Sequence, residues 1–135
     1  MRLADPVAGE IYKVAVQVPV GYLDAIMDSV SDSITPIYPG YTRVFTYWPV
    51  KGTWVPSEGS RPFIGEAGRV ETADEMRLEF AVSSEEMPAA VAAIRRAHPY
   101  EEPAIDIIPM IPWKAVMPSD GSCRGCRRSS ASCES

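Results

Sequence analysis

Ala97-His98-Pro99-Tyr100-Glu101-Glu102-Pro103-Ala104 closes one helix and opens one strand, and the other elements fall into order on either side of it. Ahead of it, Met87, Val91 and Ile94, with Ala90 and Ala97, recur at the spacing of an apolar helical stripe. Ser83, Ser84, Glu85 and Glu86 offer hydroxyls and carboxylates to the helix N-terminus, and Pro88 falls where fewest backbone donors are lost. Arg95 and Arg96 suit the negative end of the helix dipole. His98 precedes a proline, which disfavours α backbone, so this helix ends at about Ala97. Beyond the turn, Ala104 to Ile111 carries Ile105, Ile107, Ile108 and Ile111, a short strand that Pro109 either ends or confines to a sheet edge.

Working outward, Met76, Leu78, Phe80 and Val82 alternate with Arg77, Glu79 and Ala81 across a strand spanning 68–82. The same alternation sets Tyr12, Val14, Val16 and Val18 against Lys13, Ala15 and Gln17 in a strand over 11–18 that Pro19 ends. Tyr22, Leu23, Ile26, Met27 and Val30 form the apolar stripe of a helix over 20–32. Pro36, Pro39 and Gly40 break the chain before a strand from Tyr41 to Trp48, rich in aromatic and β-branched residues. Pro49 to Ala67 holds three prolines and three glycines and reads as a long loop, of the kind that is usually functional or interfacial. The order β-α-β-β-α-β predicts an α+β, ferredoxin-like plait: an antiparallel sheet with both helices on one face.

Length and composition bound the rest. The 135 residues suffice for one domain, and 46% apolar with 23% charged residues is ordinary for a globular protein. The expected division is a flexible leader over 1–10, the domain over 11–113, and a disordered Ser/Cys/Arg tail over 114–135. No apolar run approaches the roughly 20 residues that cross a bilayer, and the N-terminus lacks a secretory core, so a cytoplasmic protein is expected. The tail holds four basic and two acidic side chains, which leaves residues 1–113 with nine basic, sixteen acidic and a net charge of −7. An acidic body is a poor surface for nucleic acid or anionic lipid, and neither is expected as a partner.

The turn quoted above resembles the signature of the PII-like domain inserted in many bacterial Nif-three proteins and found in free-standing YqfO-like chains. Tyr38-Pro39-Gly40-Tyr41 is similar to the family's glycine-tyrosine lead into its second strand. Arg61-Pro62-Phe63-Ile64-Gly65-Glu66-Ala67-Gly68 resembles its Asn-Pro-Phe-Ile-Gly-x-x-Gly stretch, and Glu75-Met76-Arg77-Leu78-Glu79 its charged, alternating third strand. The resemblance covers about residues 11–113 and implies a PII/CutA-like plait that associates as a homotrimer, its long loop extending toward neighbouring subunits or ligands. It implies no known reaction. Larger relatives carry a dinuclear metal site in a flanking domain, and some are labelled cyclohydrolase homologues; the single histidine of this chain does not reproduce such a cluster. Thr46 to Trp54 departs from the smaller, glycine-richer run of the relatives.

Three candidate sites stand beside bland readings. His98, Glu101 and Glu102 offer an imidazole and two carboxylates for a divalent metal, either within one chain or across a trimer interface. The alternative is a helix-terminating turn in which His98 caps carbonyls and Tyr100 packs over the second helix. In the long loop and its flanks, Tyr41, Trp48, Lys51, Trp54, Arg61 and Phe63, together with Tyr100, are the residues for a small ligand or for a subunit interface. Cys123 and Cys126 have the C-x-x-C spacing of zinc or redox sites, with Cys133 a third sulfur, against a reading as incidental cysteines of a tail.

No Ser-His-Asp or Cys-His set can be assembled, so no catalytic residue is assigned and an enzyme is the less favoured class. The expected function is a small binding or regulatory module that holds a small molecule or divalent metal between subunits of a trimer. The alternatives are a metal-dependent hydrolase-like activity using His98, Glu101 and Glu102, and a purely structural oligomerisation unit.

Overall fold

The computed structural model describes residues 10–118. Nearly all of the expected leader and most of the expected tail, with Cys123, Cys126 and Cys133, lie outside the described residues. The elements run β1 (Ile11–Pro19), a 3-10 turn (Val20–Tyr22), α1 (Leu23–Ser31), β2 (Thr46–Trp54), β3 (Glu71–Ser83), α2 (Met87–Ala97), β4 (Ile105–Met110) and a 3-10 turn (Trp113–Val116). The four strands form one sheet in the order β2-β3-β1-β4, with every neighbouring pair antiparallel. This is the ferredoxin-like plait, with the two βαβ halves interleaved.

The alternation that defines β1 and β3 also builds the core. Val14 pairs with Phe80 and Val16 with Leu78, so these side chains share one face of the sheet. They pack under Ile26 and Val30 of α1 and Ala90, Ala93 and Ile94 of α2, all fully buried. Each large aliphatic side chain removed from water in this way contributes on the order of 1.5–3 kcal/mol. The helices are tied to each other by the Ser29 hydroxyl, which donates to the Ala93 carbonyl at 2.8 Å. Among the described residues no helix is long and apolar enough to cross a membrane.

The third strand begins three residues later than expected and the first helix opens with a 3-10 turn, but the largest departure from the sequence expectation is the second strand. The second strand runs from Thr46 to Trp54 and not from Tyr41 to Trp48. Pro49 and Gly52, expected in the long loop, are both inside it. The reason is position: β2 is an edge strand that pairs only with β3, so a missing N–H at Pro49 costs no second ladder. The loop therefore begins after Trp54. Pro109 confirms the same logic at the other edge, within β4 and opposite Tyr12 of β1.

Candidate functional site

At one end of the sheet the loop between β2 and β3 folds over the turn that follows α2. Five contacts fix the loop and its closure. Trp54 Nε1 donates to the Ile64 carbonyl at 3.3 Å, and the Gly68 amide donates to the Pro56 carbonyl at 2.7 Å. The Arg61 amide donates to Glu101 Oε1 at 3.0 Å, joining loop to turn. Phe63 meets Tyr22 edge-on, with ring centroids 5.7 Å apart, and Tyr100 at 6.1 Å. Between loop, turn and sheet end lies a cavity of about 400 Å³, within the range of small-ligand sites.

Its floor is polar. Glu75 of β3, 3% exposed, accepts from Tyr100 Oη at 2.6 Å and from Gln17 Nε2 at 3.1 Å. Gln17 in turn accepts from Arg77 at 3.4 Å, and Arg77 also reaches Glu79 and Asp106 on the sheet face opposite the helices. Gly52 pairs with Ala73 and lies diagonally from Glu75 on the neighbouring strand, where a Cβ would fall well inside van der Waals contact of the carboxylate. The glycine that resembles a breaker is what admits this acid. Burial first, then the hydrogen bond to the Glu75 carboxylate, holds the Tyr100 phenol far above the usual tyrosine range.

His98 terminates α2: its amide donates to the Ile94 carbonyl at 2.9 Å, and its own backbone is extended. The ring is buried and its tautomer follows from its partners. Nε2 lies 2.7 Å from the Gln17 carbonyl, which can only accept, so Nε2 carries the proton. Nδ1 is then bare and accepts the Tyr100 amide at 3.2 Å. Desolvation pushes the imidazole below its ordinary pKa, against the opposing pull of the Gln17 carbonyl and the Glu75 charge. The ring is a neutral bracket between β1 and the turn.

The expected site residues divide accordingly. Trp54, Phe63 and Tyr100 line the cavity with Glu101 and Glu102, and Arg61 contributes its backbone amide while its side chain stays exposed. Tyr41 lies elsewhere, 70% exposed, in a turn closed by its amide on the Tyr38 carbonyl. Trp48 sits on β2 opposite Arg77, and Lys51 is paired with Asp74. His98, Glu101 and Glu102 are not brought together as a metal cluster: both His98 nitrogens are engaged, and among the described residues no group of three His, Cys, Asp or Glu side chains is placed to hold an ion. Tyr100 packs on the rings of Trp54, Phe63 and His98. Sequence reasoning missed Glu75 and Gln17. Their signal was the interruption of open strand by Gly52, whose partner strand carries the acid.

No family model matches the chain. It is 32% identical over 108 residues to a protein of Halalkalibacterium halodurans named GTP cyclohydrolase 1 type 2 homolog, covering 80% of this chain and 29% of that protein. It is 34% identical over 112 residues to the protein of the same name from Mycobacterium tuberculosis, with the same coverage of each. The chain thus spans less than a third of the length of the curated relatives it matches. A Bacillus cereus protein related to NIF3 superposes with a TM-score of 0.66 and 30% identity, covering 79% of this chain and 27% of that one. CutA1 from Oryza sativa superposes with a TM-score of 0.58 and 15% identity over 78% of this chain and 84% of that one. GlnK of Bacillus subtilis, in complex with ATP, gives 0.54 and 13% over 77% and 84%. The shared unit is therefore nearly a whole CutA- or GlnK-like fold and a segment of the longer proteins.

Proposed function

We propose that this chain, which is a relative of the Nif-three-like (YqfO-like) family matching its PII/CutA-like domain, is a non-enzymatic ligand-binding module acting as a homotrimer. The observation that carries the reading is the cavity of about 400 Å³ closed by loop and turn over the buried Glu75–Tyr100 pair. A module that only folded and assembled would have no need of an oriented carboxylate on a cavity floor, since burying a charge is costly unless hydrogen bonds offset it. The binding reading is preferred to a hydrolytic one because His98, the sole imidazole, has both ring nitrogens in hydrogen bonds to backbone groups.

The uneven covering of the sheet supports the trimer reading. Both helices pack on one face, and the other carries Trp48 and Ile108 partly exposed. Thermal unfolding of the full chain with small metabolites of differing charge tests the ligand reading. A ligand at 100 times its Kd stabilises by about 2.7 kcal/mol, a shift of several degrees for a domain of this size. The expected result is a rise that Trp54→Ala abolishes; a set in which no compound raises the melting temperature would overturn the reading.

A further inference from the structure

We infer that the cavity takes a small organic cation, an ammonium or guanidinium compound of a few heavy atoms, held between carboxylates and aromatic rings. The assignment rests on the ligand-module reading and names the chemistry of its ligand. Three acids, Glu75, Glu101 and Glu102, line the cavity, and no Lys, Arg or His does. A cleft with one sign of charge and low-dielectric walls concentrates ions of the opposite sign. An anion, including the phosphates of a nucleotide, would meet three like charges and no cationic partner.

The acids differ in readiness. Both Glu75 oxygens already accept hydrogen bonds, which fixes the carboxylate in place as an immobile negative floor. Glu101 has one oxygen engaged by the Arg61 amide. Glu102 is exposed at the cavity mouth. Behind the floor, the Arg77 guanidinium is engaged by Glu79, Asp106 and the Gln17 side-chain oxygen.

The walls add the second element of cation recognition. Trp54 and Phe63 flank Tyr100 with centroids at 5.9 and 6.1 Å, and a cation near such ring faces is attracted by their quadrupoles. Apolar walls favour an organic cation over a bare metal ion, which needs several converging oxygen or nitrogen donors. Among the described residues no such donor group is present.

The test is a matched set on the full chain, followed by NMR at the Trp54 indole N–H. The probes are choline, its neutral carbon isostere 3,3-dimethylbutan-1-ol, and the anion 3,3-dimethylbutanoate. Choline is expected to shift the Trp54 signal saturably, at least about tenfold more tightly than the isostere. Its affinity falls as salt rises, and Glu102→Gln weakens it severalfold while leaving the melting temperature of the free protein unchanged. Equal or tighter binding of the isostere or the anion at Trp54 overturns the cation assignment and leaves the ligand-module reading standing. No choline binding, or binding indifferent to Glu102→Gln, also overturns it. The module reading itself is then decided by the wider thermal screen.

Discussion

Glu75 is a charge kept out of water, and its stability depends on two neutral neighbours, Tyr100 and Gln17. Removing the phenol oxygen in Tyr100→Phe leaves a buried carboxylate short of one donor. The expected loss is about 1–3 kcal/mol in urea denaturation. Tyr47→Phe, at a half-exposed ring on β2, should move the midpoint by less than about 0.5 kcal/mol. Gly52→Ala attacks the same acid from the other side, because its methyl group occupies the space of a carboxylate that two hydrogen bonds pin. Overpacking of this kind is expected to cost about 1–3 kcal/mol in the same measurement. His98 supplies the pH dependence. Its folded pKa lies below the unfolded value of about 6.5, so the unfolded chain takes up the proton first as pH falls. The stability it contributes is complete above about pH 6.5 and is lost as pH drops through that value toward the folded pKa. A protonated ring would also point a second donor at the Tyr100 amide, which is itself a donor. Melting temperatures from neutral to mildly acidic pH should fall in the wild type, and His98→Gln should flatten that slope; a wild-type slope unchanged by the substitution would refute the assignment.

Strands and helices whose side chains repeat with one period were legible, because burial enforces that period. Val14, Val16 and Val18 of β1 and Leu78, Phe80 and Val82 of β3 lie on the buried face that alternation assigns them. α2 ends at Ala97, as the dipeptide His98-Pro99 requires. β2 was not legible, since its Pro49 and Gly52 obey constraints imposed by a neighbour: an edge position and an acid across the ladder. The candidate site was half legible for the same reason. Aromatic residues of loop and turn announce themselves by size, whereas Glu75 reads as one more charge on a strand, and only the closure of the loop over it makes it a floor. That closure is a property of the element and can be loosened without unfolding the domain. Phe63, 49% exposed, contacts Tyr22 and Tyr100 and is not itself part of the buried core. Phe63→Ala is therefore expected to speed amide exchange at Gly68 and Arg61 by about tenfold, while the global unfolding free energy changes by less than about 1 kcal/mol. Exchange unchanged at both amides would show that the backbone ties alone hold the loop.

Across the whole molecule the two faces of the sheet have unequal fates. The helices cover one, and on the other Lys13, Gln17, Arg77, Glu79 and Asp106 form a charged lattice. In sequence that lattice reads as a solvated face, which is why alternation reveals the fold and stays silent on assembly. The surroundings of the lattice argue otherwise. Trp48 pairs with Arg77 and Ile108 with Lys13, so both apolar side chains stand on this face at its two edges, 39% and 43% exposed. A homotrimer that buries the face would cover these residues and leave the charges satisfied by one another, which lowers the cost of desolvating them. Light scattering should then return about three times the chain mass of 14.8 kDa at micromolar concentration. Ile108→Glu, placed at an exposed edge position, should return the single-chain mass with a circular dichroism spectrum like that of the wild type. Val20→Glu, 55% exposed just beyond the end of β1, should leave the mass unaltered. A wild-type protein that runs as a monomer would sink the assembly, and an Ile108→Glu variant that stays trimeric would move its interface off this face.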